Sequence, residues 1–580
     1  MPFLPLLLQT PMPEYVKSET MVPMRDGVRL YTAIYAPKEA GEKLPILLER
    51  TPYGSGPYGP DKRPRRLGPS PEFERDGFIF VSQDVRGRYM SEGDHIYCPS
   101  HLDGKGVDES TDAYDTIDYL VKRVPNNNGR VGTWGVSQPG FYASHSLIHA
   151  HPALVAVSPQ APVTDRWVGD DDHRHGAFTL LQRFSFIFGF GQPRPDEKPL
   201  ERYPSPPYPV KGDAYDWFLQ AGPTASLDKT MGPGVRYWDQ ITSHEAYDGF
   251  WKPRGVEQWL RKGVRPATLV VGGLFDAEDM YGAFHTYEAL QKGKAPDNTF
   301  VVGPWTHGGW GGPGNKLGAF DFGTATGDWF RANVQFPWFR YQLKGGERPA
   351  IPHALAFDSG ANRWESFGSW PPRSRRHTLL LGADGGAALD GSVQEGGRSY
   401  VSDTNQPVRF TALKGPGTPS SYMAEDQRFL DGRSDVLTFR TELLASPVTL
   451  AGGIEAELRV LSDATDADFV VKLIDERPDG TLALVRWDVM RGKFRDSFER
   501  PSPLSVGRPF GVKVPMNGVM HTFAAGHRMT VQVQSSIYPL LDRNSQKFED
   551  QYRATEFHPA KITILCGGQD GSRLTLPVLR

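Results

Sequence analysis

The stretch Gly132-Thr-Trp-Gly135-Val-Ser137-Gln-Pro-Gly140 carries the most specific chemical signal in the chain. It sets a serine at a sharp turn between a predicted strand and a helix starting near Phe141, where a strained backbone would expose the hydroxyl beside a backbone N–H. The chemistry of such a group is acyl transfer through an attacking Ser137 Oγ. The match is incomplete, because the usual glycine two residues after the serine is Pro139 and the glycine comes one place later, at Gly140. From this stretch alone an ordinary turn serine fits equally well. Asp276 and His307 then follow in the chain, each just past a predicted strand end. Serine, aspartate and histidine in that order supply a nucleophile, an orienting acid and a base. A second group is acidic: Asp170, Asp171 and Asp172, with Glu278 and Asp279 shortly after Asp276. Three readings fit its spacing: a solvated loop, an oxygen-ligand cation site without EF-hand spacing, or a carboxylate pocket that takes up an ammonium group.

Positioning these groups is the work of the flanking elements. From Val28 to about Gly345, short apolar runs alternate with amphipathic segments, the pattern of a parallel sheet covered by helices. Strands are predicted at Ile46 to Leu48, Phe78 to Ser82, Gly132 to Trp134, Val155 to Ser158, Thr268 to Val271 and Phe300 to Val302. Ser110 to Val124 reads as a crossover helix, with Ala113, Ile117, Leu120, Val121 and Val124 on one face and Asp108 or Ser110 as its cap. Between about Trp167 and Lys262, aromatic clusters and proline-rich loops replace this pattern, which predicts an inserted cap. Beyond about Pro349 alternating segments separated by turn residues predict a two-sheet sandwich or jelly roll. The predicted division is an arm over 1–21, an α/β unit over 22–166 and 263–349, a helical cap over 167–262, and an all-β unit over 350–580.

The 580 residues, 38% hydrophobic and 23% charged, suffice for several cores. Lys and Arg total 65 against 68 Asp and Glu, a net charge of -3 without a long basic run, which argues against a nucleic-acid partner. No stretch approaches the roughly 20 apolar residues of a membrane span. Cys98 and Cys566 allow at most one disulfide and exclude a thiolate-rich metal site. The leucine-containing start, Met1 to Pro13, lacks a basic leader and reads as an extended arm or the remnant of a trimmed export signal. That leaves a periplasmic or secreted location in the trimmed case and a cytoplasmic one otherwise.

Ordered motifs run along nearly the whole chain: Val22-Pro-Met-Arg-Asp-Gly-Val, Arg50-Thr-Pro-Tyr53, Gln83-Asp-Val-Arg-Gly, Asn128-Gly-Arg-Val-Gly, Gly169-Asp-Asp, Phe275-Asp-Ala-Glu-Asp-Met, Gly303-Pro-Trp-Thr-His307 and Val531-Gln-Val-Gln-Ser-Ser. With them the chain resembles the alpha-amino acid ester hydrolases, within the serine hydrolases that include cocaine esterase and X-prolyl dipeptidyl peptidases. The resemblance implies an alpha/beta-hydrolase domain, a helical cap and a C-terminal jelly roll. It implies Ser137 as nucleophile, His307 as general base and then acid, and Asp276 as the residue orienting the imidazole. Tyr53, through its hydroxyl, and Gln138, through its backbone N–H, would form the oxyanion hole, and Asp171, Glu278 and Asp279 would hold the substrate's protonated α-amino group. Gln138 departs from the tyrosine common at that position, which predicts a wetter or wider acyl pocket.

The reaction implied is acylation of Ser137 by an α-amino acid ester, or by an α-amino β-lactam, and transfer of the acyl group to water or an amine, giving an acid, a dipeptide or another amide. Alternatives on the same scaffold are a broad carboxylesterase and an X-prolyl dipeptidyl peptidase. Outside enzymes, the alternative is a carbohydrate-binding sandwich attached to an inactive hydrolase. The partners expected are a small ester and an amine acceptor, with no cofactor and no metal. The arm before Val22 resembles segments that reach across subunits in relatives, which would make a homo-oligomer; a frayed terminus is the other reading.

Overall fold

The apolar runs of the first half come together as one ten-stranded sheet in a computed structural model that describes residues 11–195 and 198–580. Its strands are β1 (Tyr15–Pro23), β2 (Arg29–Pro37), β3 (Leu44–Thr51), β4 (Ile79–Asp84), β5 (Asn127–Ser137), β6 (Leu154–Pro162), β7 (Ala267–Gly273), β8 (Asn298–Gly303), β9 (Ala354–Asp358) and β10 (Arg363–Phe367), in the spatial order β1-β2-β4-β3-β5-β6-β7-β8-β9-β10. From β4 to β9 each neighbouring pair is parallel, while β1, β2 and β10 pair antiparallel with their neighbours at the two edges. Parallel strands buried on both faces read as continuous apolar runs. Val270 and Val302 accordingly lie in one core, and Leu269, Val271 and Val301 in the core on the other side.

Helix α1 (Glu109–Arg123) covers this sheet, and its start is fixed chemically. Asp108 accepts the backbone N–H groups of Ser110 and Thr111, while Thr111 Oγ1 takes the Asp108 N–H, closing a capping box. Helix α2 (Gln138–Ser146) is buried along its whole length directly behind Ser137. The cap carries α3 (Leu180–Phe190), α4 (Ala214–Ala221) and α5 (Arg236–Thr242). Its aromatic residues are its core, with the Phe184 ring meeting Phe218 at 5.4 Å and Trp238 at 6.0 Å. Each such buried ring contributes about 1.5–3 kcal/mol, which a segment with few regular elements needs. Helix α6 (Met280–Lys292) then links β7 to β8, and α7 (Phe336–Lys344) precedes β9.

The C-terminal part is all β: a seven-stranded sheet and a four-stranded sheet. Strand Phe510–Phe523 shows why, since Phe510, Val512, Val514 and Met516 are buried while Gly511, Lys513 and Pro515 are exposed, the period-two pattern of a sheet with one wet face. Two buried guanidinium groups fasten this part to its surroundings. Arg491 pairs with Asp468 at 2.9 Å and Asp542 at 2.7 Å, and Asp542 in turn accepts the Phe178 N–H. Arg486 donates to the carbonyl of Leu274, just past β7, at 2.8 Å. Deleting one partner of a buried pair of this kind costs about 3–5 kcal/mol.

Two expected boundaries differ from the observed elements. Residues 15–21 of the expected arm belong to the edge strand β1, Tyr15–Pro23; residues 1–10 lie outside the described residues. Only Tyr15 and Val22 of β1 are buried, so its alternation is weak. At the other end the sheet runs past 349, because β9 pairs with β8 and β10 pairs with β9. The change of periodicity marks where covering helices stop, not where the sheet stops. Cys98 and Cys566 are both buried and unbonded to each other. Among the described residues no helix is long and apolar enough to cross a membrane. The fold is that of an alpha/beta hydrolase with a C-terminal β unit.

Candidate active site

Apart from Asp171, at the head of the cap, the sequence-predicted residues sit at or just beyond the carboxyl ends of parallel strands, where ligands of such sheets bind. Ser137 ends β5, Tyr53 follows β3, Asp276 to Asp279 connect β7 to α6, and His307 follows β8. The Ser137 backbone has φ 67° and ψ -125°, a conformation that costs an ordinary side chain on the order of 1–3 kcal/mol and persists only where its surroundings enforce it. Those surroundings are two close approaches. A Cβ on Gly135 would lie 2.4 Å from the Pro139 carbonyl group, and one on Gly140 would lie 2.8 Å from the Gln160 carbonyl oxygen. Pro139 therefore packs onto Gly135, and Gly140 packs on β6. The shifted glycine preserves the turn.

His307 Nδ1 lies 3.1 and 3.0 Å from the two carboxylate oxygens of Asp276. Asp276 Oδ1 also accepts the N–H groups of Glu278 at 2.8 Å and Asp279 at 3.1 Å. Burial alone would raise the Asp276 pKa, but the His307 ring and these two amides outweigh it and hold the carboxyl below its usual range. For His307 burial opposes the charged ring, yet Asp276, Glu278 and Asp279 together lift it well above the ordinary imidazole value. The partner of Ser137 Oγ among the described residues is Asp279 Oδ2 at 3.4 Å, and that same oxygen is 3.9 Å from His307 Nε2. Asp279 thus lies against both candidate reacting groups. Its Oδ1 is buried without a hydrogen-bond partner, and burial, then the charge of Asp171, push its pKa well above the usual range.

The three consecutive aspartates are buried, so they are no solvated loop, and each is differently employed. Asp170 accepts the backbone N–H groups of Thr164, Asp165 and Gly282, joining the head of the cap to α6. Asp172 pairs with Arg166 at 2.5 Å. Asp171, with φ 54°, pairs with Arg183 Nη2 at 2.6 Å and accepts the Tyr97 hydroxyl at 2.9 Å. Arg183 of α3 and Tyr97 are site residues that the sequence reading missed. The signal was there, since an arginine inside the apolar run Leu180 to Phe190 needs a buried anion.

Tyr53 stacks edge-on to Phe190 at 5.5 Å. Burial, then the charge of Asp171, raises its pKa, although 42% of the residue is exposed. The Gln138 side chain is buried and is not among the residues lining the cleft. It is 1% exposed and turned toward Cys98, with Nε2 3.9 Å from Sγ. The cleft in front of the site, about 460 Å³, is lined by Arg183, Phe186, Glu278, Thr306, His307 and Thr418, so the C-terminal part supplies one wall. A larger cavity of about 650 Å³ around Arg88, His95 and Tyr203 contains none of the candidate reacting groups. Asp84, Arg86, Ser91 and Glu92 brace loops: Asp84 accepts from Ser55 and Tyr58, and Arg86 joins Asp26 to Asp112.

A buried carboxylate against an imidazole, beside a strained serine at a strand end, is a set of groups capable of hydrolytic acyl transfer on an alpha/beta-hydrolase scaffold. Residues 26–309 match the X-Pro dipeptidyl-peptidase (S15 family), and residues 335–575 match the X-Pro dipeptidyl-peptidase C-terminal non-catalytic domain. Cocaine esterase of Rhodococcus sp. (strain MB1 Bresler) is 29% identical over 593 aligned positions, spanning 97% of this chain and 99% of that protein. A solved alpha-amino acid ester hydrolase is 34% identical with a TM-score of 0.89, over 98% of this chain and 97% of that one. A solved aminopeptidase from the marine sediment archaeon Thaumarchaeota archaeon is 33% identical with a TM-score of 0.89, over 99% and 97%. The chain belongs to the X-Pro dipeptidyl-peptidase (S15) family of hydrolases, the group that also holds cocaine esterase.

Proposed function

We propose that the protein is a serine hydrolase and acyltransferase acting on small α-amino acid esters through an acyl-enzyme. The observation that carries this reading is Asp279, a buried carboxylate with one unpartnered oxygen and the other 3.4 Å from Ser137 Oγ. A carboxylate there disfavours most acyl groups, whereas an ammonium on the carbon next to the ester carbonyl relieves its desolvation and its repulsion by Asp171. Glu278, half-buried beside it, adds to the same field, and Asp171 adds less because Arg183 already faces it. The name of the 34% identical neighbour is consistent with this chemistry.

In the proposed reaction, the ammonium takes over Asp279 Oδ2 and frees the Ser137 hydroxyl to turn to His307 Nε2. Ser137 Oγ bonds to the ester carbonyl carbon as its proton passes to Nε2. Asp276 holds the imidazole by Nδ1 and stabilises the imidazolium. The Tyr53 hydroxyl and the Gln138 N–H donate to the oxyanion. Collapse breaks the ester C–O bond, and His307 returns the proton to the departing alcohol. Water or an amine then repeats the sequence on the acyl-enzyme, restoring Ser137. The same carboxylates raise the His307 pKa, and an arriving ammonium weakens that negative field, favouring the neutral base.

A broader esterase is the second reading, favoured by the Arg183 guanidinium that offsets part of the carboxylate charge. Turnover of alanine methyl ester against its N-acetyl analogue separates the two. A free-amine preference that disappears in Ser137→Ala supports the proposal. Equal rates on both esters leave a broad esterase, and turnover that survives in Ser137→Ala removes the serine from the mechanism.

A further inference from the structure

At the far end of α2 from Ser137, two loops bring His101, Asp103 and His149 together. Their potential ligand atoms all lie within 4.8 Å of one another, and His149 Nε2 is 3.7 Å from Asp103 Oδ1. His101 is the anchor. Its side chain is 1% exposed, and its Nδ1 lies 2.8 Å from Asp108 Oδ2. Asp108 is itself held by the Leu102, Ser110 and Thr111 N–H groups at the start of α1. An ionised carboxylate only accepts, so the ring proton sits on Nδ1 and the lone pair on Nε2. Nε2 is buried with no hydrogen-bond partner. Trp259 packs edge-on to the ring at 4.4 Å, which fixes its orientation. A carboxylate holding one ring nitrogen while the other is left without a partner is the arrangement by which proteins orient metal-bound histidines.

We infer that His101, Asp103 and His149 form a binding site for a zinc-class divalent transition metal, outside the reaction centre. Two imidazoles and one carboxylate suit zinc, copper or nickel and not magnesium or calcium, which prefer all-oxygen shells. Three protein ligands leave the fourth tetrahedral position to water. With bonds of about 2.0–2.1 Å, tetrahedral ligand atoms stand roughly 3.4 Å apart. The site therefore needs only a small closure, made by Asp103 and His149, which are both exposed. The ion would tie the loop entering α1 to the turn leaving α2. That loop also carries Cys98, which touches the Gln138 side chain at the head of α2. The inference does not depend on the substrate proposed above.

The test uses the untagged full chain, stripped with chelator and titrated with Zn²⁺ by calorimetry, alongside Asp103→Ala and His149→Ala. Both positions are exposed, so both variants should fold. The expected result is one zinc per chain, a raised melting temperature on binding, and affinity lowered at least tenfold in each variant. Co²⁺ should give the visible absorption of a tetrahedral site, and Mg²⁺ should not compete. Zinc binding unchanged in both variants, no stoichiometric zinc binding, or equal competition by Mg²⁺ overturns the inference.

Discussion

Asp276→Asn is the most direct perturbation of the candidate triad. Asparagine keeps the size of the carboxylate and can still accept the Glu278 and Asp279 N–H groups that now bond Oδ1 at 2.8 and 3.1 Å. It loses the negative charge facing His307 Nδ1, 3.0 Å from Oδ2. Two unit charges at that distance interact by about 5.5 kcal/mol at an effective dielectric constant near 20. With about 1.4 kcal/mol per tenfold in rate, this corresponds to a fall in kcat of about 10⁴-fold. A second route gives the same order: the amide NH₂ would turn Nδ1 into an acceptor and put the ring proton on Nε2, and that tautomer swap costs about 10⁴ in a serine protease triad. The assay is proton release from alanine methyl ester, with circular dichroism and a melting curve to confirm the fold. KM should move little, because the groups proposed to meet the ammonium remain. A folded variant that loses less than tenfold in kcat, or whose loss lies wholly in KM, refutes the role given to Asp276.

Glu278→Gln should move the acid limb of the kcat/KM profile, measured on an activated ester lacking an amine, to lower pH. The glutamate is one of the charges holding His307 above its ordinary value, and with less negative field the imidazolium gives up its proton more readily; a limb that stays or moves to higher pH contradicts the electrostatic account. Tyr53→Phe should lower kcat by about 10²–10³-fold with little change in KM, the cost of one oxyanion donor, and a near-normal kcat would assign oxyanion stabilisation elsewhere. Gly135→Ala puts a Cβ 2.4 Å from the Pro139 carbonyl group and should cost about 1–3 kcal/mol of stability, with reduced turnover as the Ser137 turn is displaced. Gly41→Ala, with nothing within 4 Å of its Cβ, is the matched control, and equal melting temperatures for the two variants would remove close packing as the reason for Gly135.

By itself the sequence determined whatever depends on local periodicity and chain order. Continuous apolar runs gave the parallel strands from β3 to β8, the Asp108 cap gave the start of α1, and the placement of Ser137, Asp276 and His307 just past strands gave a candidate triad on one edge of the sheet. Strand β1 was hidden because only Tyr15 and Val22 of it are buried, and β9 and β10 because a strand joining a sheet edge looks locally like any other strand. Only the tertiary structure decided what depends on contacts between distant segments. Asp170, Asp171 and Asp172 look equivalent in sequence, yet one bonds backbone amides, one meets Arg183 and Tyr97, and one meets Arg166. The same holds for Gln138, whose side chain turns to Cys98 forty residues earlier in the chain, and for His101, Asp103 and His149, whose spacing matches no compact metal motif. A charge's neighbours set its pKa and its role, and those neighbours are chosen by how loops from separate strands converge, which no local pattern records.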